Sequence, residues 1–97
     1  MAGRLTWSPR AAAHLEGICE YIGEDSPVYA RIFAKRVMAI VLEIPRFPRS
    51  GRVVPEYDDE DLREKLMADY RIVYRIRRNA VEIVAICHGA MLLRHVL

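Results

Sequence analysis

The groups of this sequence best suited to chemistry are five cations and a histidine in its last third: Arg63, Lys65, Arg71, Arg75, Arg77 and His88. Scission of RNA through its own 2′-hydroxyl needs a base, an acid and cations around the crowded phosphate, and a metal-free protein draws these from His, Glu, Arg and Lys. The same cations could instead hold a macromolecule without breaking a bond. An open antiparallel sheet face is ordinarily polar, so binding or solvation is the preferred reading over catalysis.

Other chemistries lack their parts. Cys87 and His88 are neighbours on an expected strand and point to opposite faces, so no metal site is expected. Ser8, Ser26 and Ser50 each precede Pro or Gly, which fits capping and turn roles. No G-x-S-x-G or phosphate-loop glycine pattern occurs, and no cofactor is expected. His14 and His95 have no informative neighbours, and His88 has a bland alternative as a core-edge residue bonded to backbone.

The elements that must position these groups fit one small domain, residues 1–97, with 53% hydrophobic and 29% charged residues. The longest purely apolar run, 37–42, is far short of a membrane span, and Arg4, Ser8, Pro9 and Arg10 interrupt any signal-peptide core. A cytoplasmic location is expected. Two cysteines, Cys19 and Cys87, are too few for a disulfide framework and read as buried thiols.

The net charge of +2 conceals a segregation. Residues 1–55 hold eight basic and five acidic side chains, residues 56–61 hold five acids and no base, and residues 62–97 hold seven bases and three acids. The basic C-terminal part favours an acidic or polyanionic partner. The acidic run reads as a solvated loop, with docking on a basic partner as the alternative.

Leu5–Trp7 is a short β-prone run, and Ser8-Pro9 supplies a cap and a first-turn proline. Ala11, Leu15, Ile18, Cys19 and Ile22 line one helical face, with Gly23 as the expected stop. Ser26-Pro27 repeats the start signal before a second stripe of Phe33, Val37, Ile40, Val41 and Ile44. The connection is short, so the two helices form a hairpin. Prolines 45, 48 and 55 break the chain, after which Leu62–Met67, Tyr70–Arg77 and Val81–Cys87 read as strands. The expected fold is α+β: a strand, a helical hairpin, then an antiparallel three-stranded meander, with the helices on one sheet face. Trp7 reads as core. Arg63, Lys65, Arg71, Arg75 and Arg77 are all expected on the face away from the helices, and Leu92, Leu93, Val96 and Leu97 need a cover.

With Trp7-Ser8-Pro9, Phe47-Pro48, Gly51-Arg52, Arg63-Glu64, Tyr70-Arg71-Ile72-Val73-Tyr74-Arg75 and His88-Gly89 in this order, the chain resembles the RelE/ParE toxin superfamily over nearly its whole length. The resemblance implies a plasmid-stabilisation type of toxin that inhibits growth and is neutralised by a cognate antitoxin. It implies one of two targets: DNA gyrase, poisoned without enzymatic action in the ParE-like branch, or the ribosome with messenger RNA, which RelE-like nucleases cut. In a nuclease the working residues would be Arg63, Arg71 and His88, with Lys65 beside them. Gly89 stands where such nucleases carry a tyrosine, which leans the reading to the ParE-like branch, and Met91 replaces an arginine common to many members. For that branch, Arg63, Lys65, Arg71, Arg75, Arg77, Leu92 and Leu93 are the candidate contacts to target or antitoxin. An inactive member that merely binds antitoxin is a third possibility.

Overall fold

The computed structural model describes residues 3–91 and 93–97, for residue 95 the backbone alone. Strand β1 (Arg4–Trp7) leads into helices α1 (Pro9–Asp25) and α2 (Pro27–Glu43). Two short 3-10 turns, Ile44–Arg46 and Pro48–Ser50, precede β2 (Arg52–Val53), β3 (Leu62–Met67), β4 (Tyr70–Arg77) and β5 (Ala80–His88). A last 3-10 turn covers Leu93–His95.

Both helices start as their capping residues dictate. The Ser8 hydroxyl accepts from the Ala11 N–H at 3.0 Å, and the Ser26 hydroxyl accepts from the Tyr29 N–H at 3.1 Å. The expected stop at Gly23 is passed over: α1 runs on to Asp25, and Ser26 alone joins the helices, closing α1 through its N–H to the Ile22 carbonyl while capping α2. A glycine ends a helix only where φ turns positive, and Gly23 does not turn.

The three-stranded meander is present, and it is the centre of a larger sheet of order β1-β5-β4-β3-β2. β1 joins β5 in parallel, from Arg4 opposite Ala80 to Trp7 opposite Ile83, and β2 adds an antiparallel edge to β3. Two-residue turns at Ala68-Asp69 and Arg78-Asn79 connect the meander, with Ala68 and Asn79 at φ 51° and 57° as such tight turns require.

The helical hairpin covers one face. Ala11, Phe33, Val37 and Val41 pack on Ile72, Tyr74, Val81, Ile83 and Ile86, with Trp7 against the same cluster. The opposite face carries a second apolar cluster, Val54, Leu62, Val73, Ala85, Cys87 and Leu93, closed by the 54–57 loop and the C-terminal turn. An irregularity beside Val73 and Tyr74, where β5 carries one extra residue, turns Val84 as well as Ala85 toward this second cluster. Among the described residues no helix is long and apolar enough to cross a membrane.

Candidate functional site

The pairing of β3 with β4 decides where the cations go. Residues directly opposite across an antiparallel pair share a face. Arg63 lies opposite Tyr74 and Lys65 opposite Ile72, both core residues under the helices, whereas Leu62 lies opposite Arg75 and Glu64 opposite Val73. Arg63 and Lys65 therefore stand on the helix side, and Arg71, Arg75 and Arg77 on the other. This corrects the expectation that all five project away from the helices. Leu62-Arg63-Glu64-Lys65-Leu66-Met67 has no alternation that marks one face as apolar, and the two-residue turn at 68–69 fixes the phase instead.

Arg71 is not an open cation. It is 5% exposed, and its Nε donates to Glu64 Oε1 at 2.6 Å while Nη1 and Nη2 meet the two oxygens of Glu56 at 2.7 Å each. Nη1 also reaches the Met91 carbonyl at 3.2 Å. Glu64, 1% exposed, accepts a second bond from Arg52 Nε at 2.6 Å, and Glu56 Oε2 accepts the Leu93 N–H at 3.2 Å. The cluster thus ties the loop after β2, strands β3 and β4, and the C-terminal turn into one unit. Its charges hold one another ionised: the hydrogen bonds from Arg71 bring the Glu56 carboxyl down to about 2, and the bonds to Glu56 raise the Arg71 pKa above its ordinary value.

The acidic run is correspondingly more than a solvated loop. Besides Glu56, Asp59 Oδ2 pairs with Arg75 at 3.0 Å and Asp61 pairs with Arg49 at 3.0 Å. Asp59 is held below its ordinary pKa first by the Asp61 N–H and then by Arg75. Arg77 meets Glu82 at 2.8 Å on the exposed end of the sheet. Arg63 is a strap for the irregular segment: Nε donates to the Glu60 carbonyl at 2.7 Å, and Nη1 to the carbonyls of Gly51 and Arg49 at 3.0 and 3.3 Å. Lys65 borders a shallow depression with Ile40 and Phe47.

His88 ends β5 on the helix side, opposite Tyr70, and is exposed. Its ring meets the Tyr70 ring edge-on at 5.6 Å between centroids, and Nδ1 accepts the Ala90 N–H at 3.2 Å. Arg63 and His88 share a face but lie opposite Tyr74 and Tyr70, four residues apart along β4, or roughly 13 Å at the usual strand rise. Arg71 is on the far side of the sheet. The structure does not bring the Arg63, Arg71 and His88 trio to one point.

Leu93 is fully buried in the second apolar cluster, so its cover is the domain itself, while Leu92 lies outside the described residues. Cys87 is buried and Cys19 partly so; burial raises both thiol pKa values, which suppresses the thiolate. Among the described residues no group of three His, Cys, Asp or Glu side chains could hold a metal ion. Sequence reasoning missed Glu56 and Glu64 as partners of Arg71, and Arg52 as the second partner of Glu64. The available signal was a glutamate flanked by cations, close across a tight hairpin from an arginine in the apolar first half of the next strand.

A family model described as the ParE toxin of type II toxin-antitoxin system, parDE, matches residues 5–93. Toxin RelE2 of Caulobacter vibrioides is 33% identical over 90 residues, covering 92% of this chain and 98% of the relative. In fold, the chain is similar to one in the chromosomal ParDE TA system from P. aeruginosa, with a TM-score of 0.74 at 19% identity, over 90% of this chain and 96% of that one.

Proposed function

Because the chain belongs to the ParE toxin family of the RelE/ParE superfamily, and is thus a type II toxin with a cognate antitoxin as partner, we propose that its target is DNA gyrase. In this reading the toxin binds the enzyme and traps its cleaved-DNA state, acting in the cytoplasm and breaking no bond itself.

The observation that supports this reading is the dispersal of the residues a nuclease would need. Arg71 has its charge occupied by two carboxylates in a buried setting, Arg63 is spent on backbone carbonyls, and His88 stands apart from both. Transition-state stabilisation requires cations already aimed at one phosphate, together with a proton-transfer group within hydrogen-bond reach. Arg75, Arg77 and Lys65 remain the proposed contacts to the target or antitoxin, since binding tolerates cations spread over two faces.

A ribosome-dependent endoribonuclease is the second reading, favoured by the exposure of His88 at a strand end. Mapping the 5′ ends of cellular messages after induction separates the two. An intact message pool accompanied by DNA damage supports gyrase poisoning, and cuts phased to codons support the nuclease.

A further inference from the structure

We infer that the outward face of α2 is a surface by which the toxin engages its target, and that it fits an acidic amphipathic helix exposed on DNA gyrase. The inference rests on the gyrase reading and names the element of this chain that carries the contact.

α2 presents two stripes. Phe33, Val37, Val41 and Ile44 turn inward onto the sheet. Opposite them on the 3.6-residue period lie Val28, Ile32, Lys35, Ala39 and Leu42, at i, i+4, i+7, i+11 and i+14, and every one is exposed. Val28, Ile32 and Leu42 are 57%, 46% and 60% exposed, although all three are large and apolar. Single exposed aliphatics are ordinary on a protein surface, but a row of them at heptad spacing, running about 21 Å along one helix, is a seam on which another helix packs. Near Ala39 a shallow depression of about 430 Å³ extends the apolar surface to Phe47 and Leu66, both more than half exposed.

The charge around this row has one sign. Arg31 and Arg36 flank it on either side, Lys35 lies within it, and α2 carries no acid before Glu43. On the sheet, Arg52, Arg71, Arg75 and Arg77 are each paired with a carboxylate. By contrast, among the described residues no hydrogen bond or ion pair engages Arg31, Lys35 or Arg36, so their charge is available to a partner. A second copy of this chain is a poor occupant, because a two-fold pairing of the face with itself sets these cations against their own kind. Nucleic acid answers the cations but leaves the aliphatic row in water. An acidic helix with apolar residues at the same spacing answers both: its aliphatic row fills the seam, and its carboxylates meet Arg31 and Arg36 at the flanks.

Two variants probe the two features separately: Ile32→Gln removes the centre of the seam, and the double variant Lys35→Glu, Arg36→Glu reverses the charge. Arg4→Glu with Arg78→Glu, on exposed residues of β1 and the β4–β5 turn, is the charge-matched control. Thermal unfolding checks that each variant is folded, and affinity is measured for the gyrase holoenzyme and, separately, for the full-length antitoxin. Each α2 variant is expected to weaken gyrase binding by about tenfold or more, with the control within about threefold of wild type. A folded pair of α2 variants that both keep gyrase binding overturns the assignment alone, whether or not they lose the antitoxin. A wild-type chain that binds antitoxin but not gyrase overturns the gyrase reading and this assignment with it. Weakening by the charge variant only assigns the face to the DNA that gyrase holds, and self-association of the free chain that Ile32→Gln abolishes assigns it to a second copy; either result also overturns the helix.

Discussion

The Arg71 Nε and a carboxylate oxygen of Glu64 meet at 2.6 Å on adjacent strands, with both side chains all but removed from solvent. Neither charge could be tolerated there alone, because a buried unpaired ion carries a desolvation cost of several kcal/mol. Glu56 completes the neutralisation and, through Leu93, fastens the C-terminal turn over the second apolar cluster. The arginine that a reader of the sequence would assign to phosphate binding is thereby committed to holding the fold together.

Removing that arginine should therefore damage stability first. Arg71→Met removes the cation from Glu56 and leaves the buried Glu64 with Arg52 as its remaining partner, and is expected to lower the unfolding free energy by about 3–5 kcal/mol in urea denaturation. Arg71→Lys should recover little, since one ammonium cannot span two carboxylates in the forked geometry observed. The double variant Arg71→Met, Glu64→Leu should be more stable than Arg71→Met alone.

Acid should loosen the same cluster. The folded pKa of Glu56 lies at about 2, below its ordinary 4.5, so its contribution is fully present above about 4.5 and is lost as pH falls through 2. The wild-type urea midpoint is expected to fall across that window more steeply than that of Glu56→Gln. Parallel curves for the two proteins would refute the assignment.

Tyr74 anchors the irregular segment after α2. Its hydroxyl donates to the Pro48 carbonyl at 2.6 Å and accepts from the Gly51 N–H at 2.9 Å. Tyr74→Phe leaves both groups without this partner and should cost about 1–3 kcal/mol. Gly51→Ala should cost a similar amount, about 1–3 kcal/mol, because its Cβ would press on the Tyr74 hydroxyl and lie 2.7 Å from the Glu64 carbonyl. Thermal or urea unfolding checks both.

His88 separates the two target readings without disturbing the fold, being exposed at a strand end. His88→Ala should change stability by no more than about 0.5 kcal/mol and leave growth inhibition on induction undiminished. A nuclease relying on its proton transfer would lose about 100-fold or more in activity.

How much of this was legible in the sequence depends on the range of the signal. Capping serines, helical stripes and the alternation of Tyr70–Arg77 are local, and the helical hairpin and meander follow from them. The pairing of β1 with β5 joins residues more than seventy positions apart, and the two residues of β2 are too few to show a period. The same limit hid the site. Which side Arg63 and Lys65 occupy depends on hairpin register, and that Arg71 is neutralised depends on a loop carrying Glu56 folding back over the sheet. His14 looked uninformative because its partner, the Ile86 N–H, is 72 positions away.

The most direct test of the account is a cleavage assay with purified toxin, DNA gyrase and supercoiled plasmid. Gyrase poisoning predicts linear DNA that accumulates with toxin and disappears when cognate antitoxin is added first. Absence of linear product with supercoiling unaffected at toxin excess would contradict it.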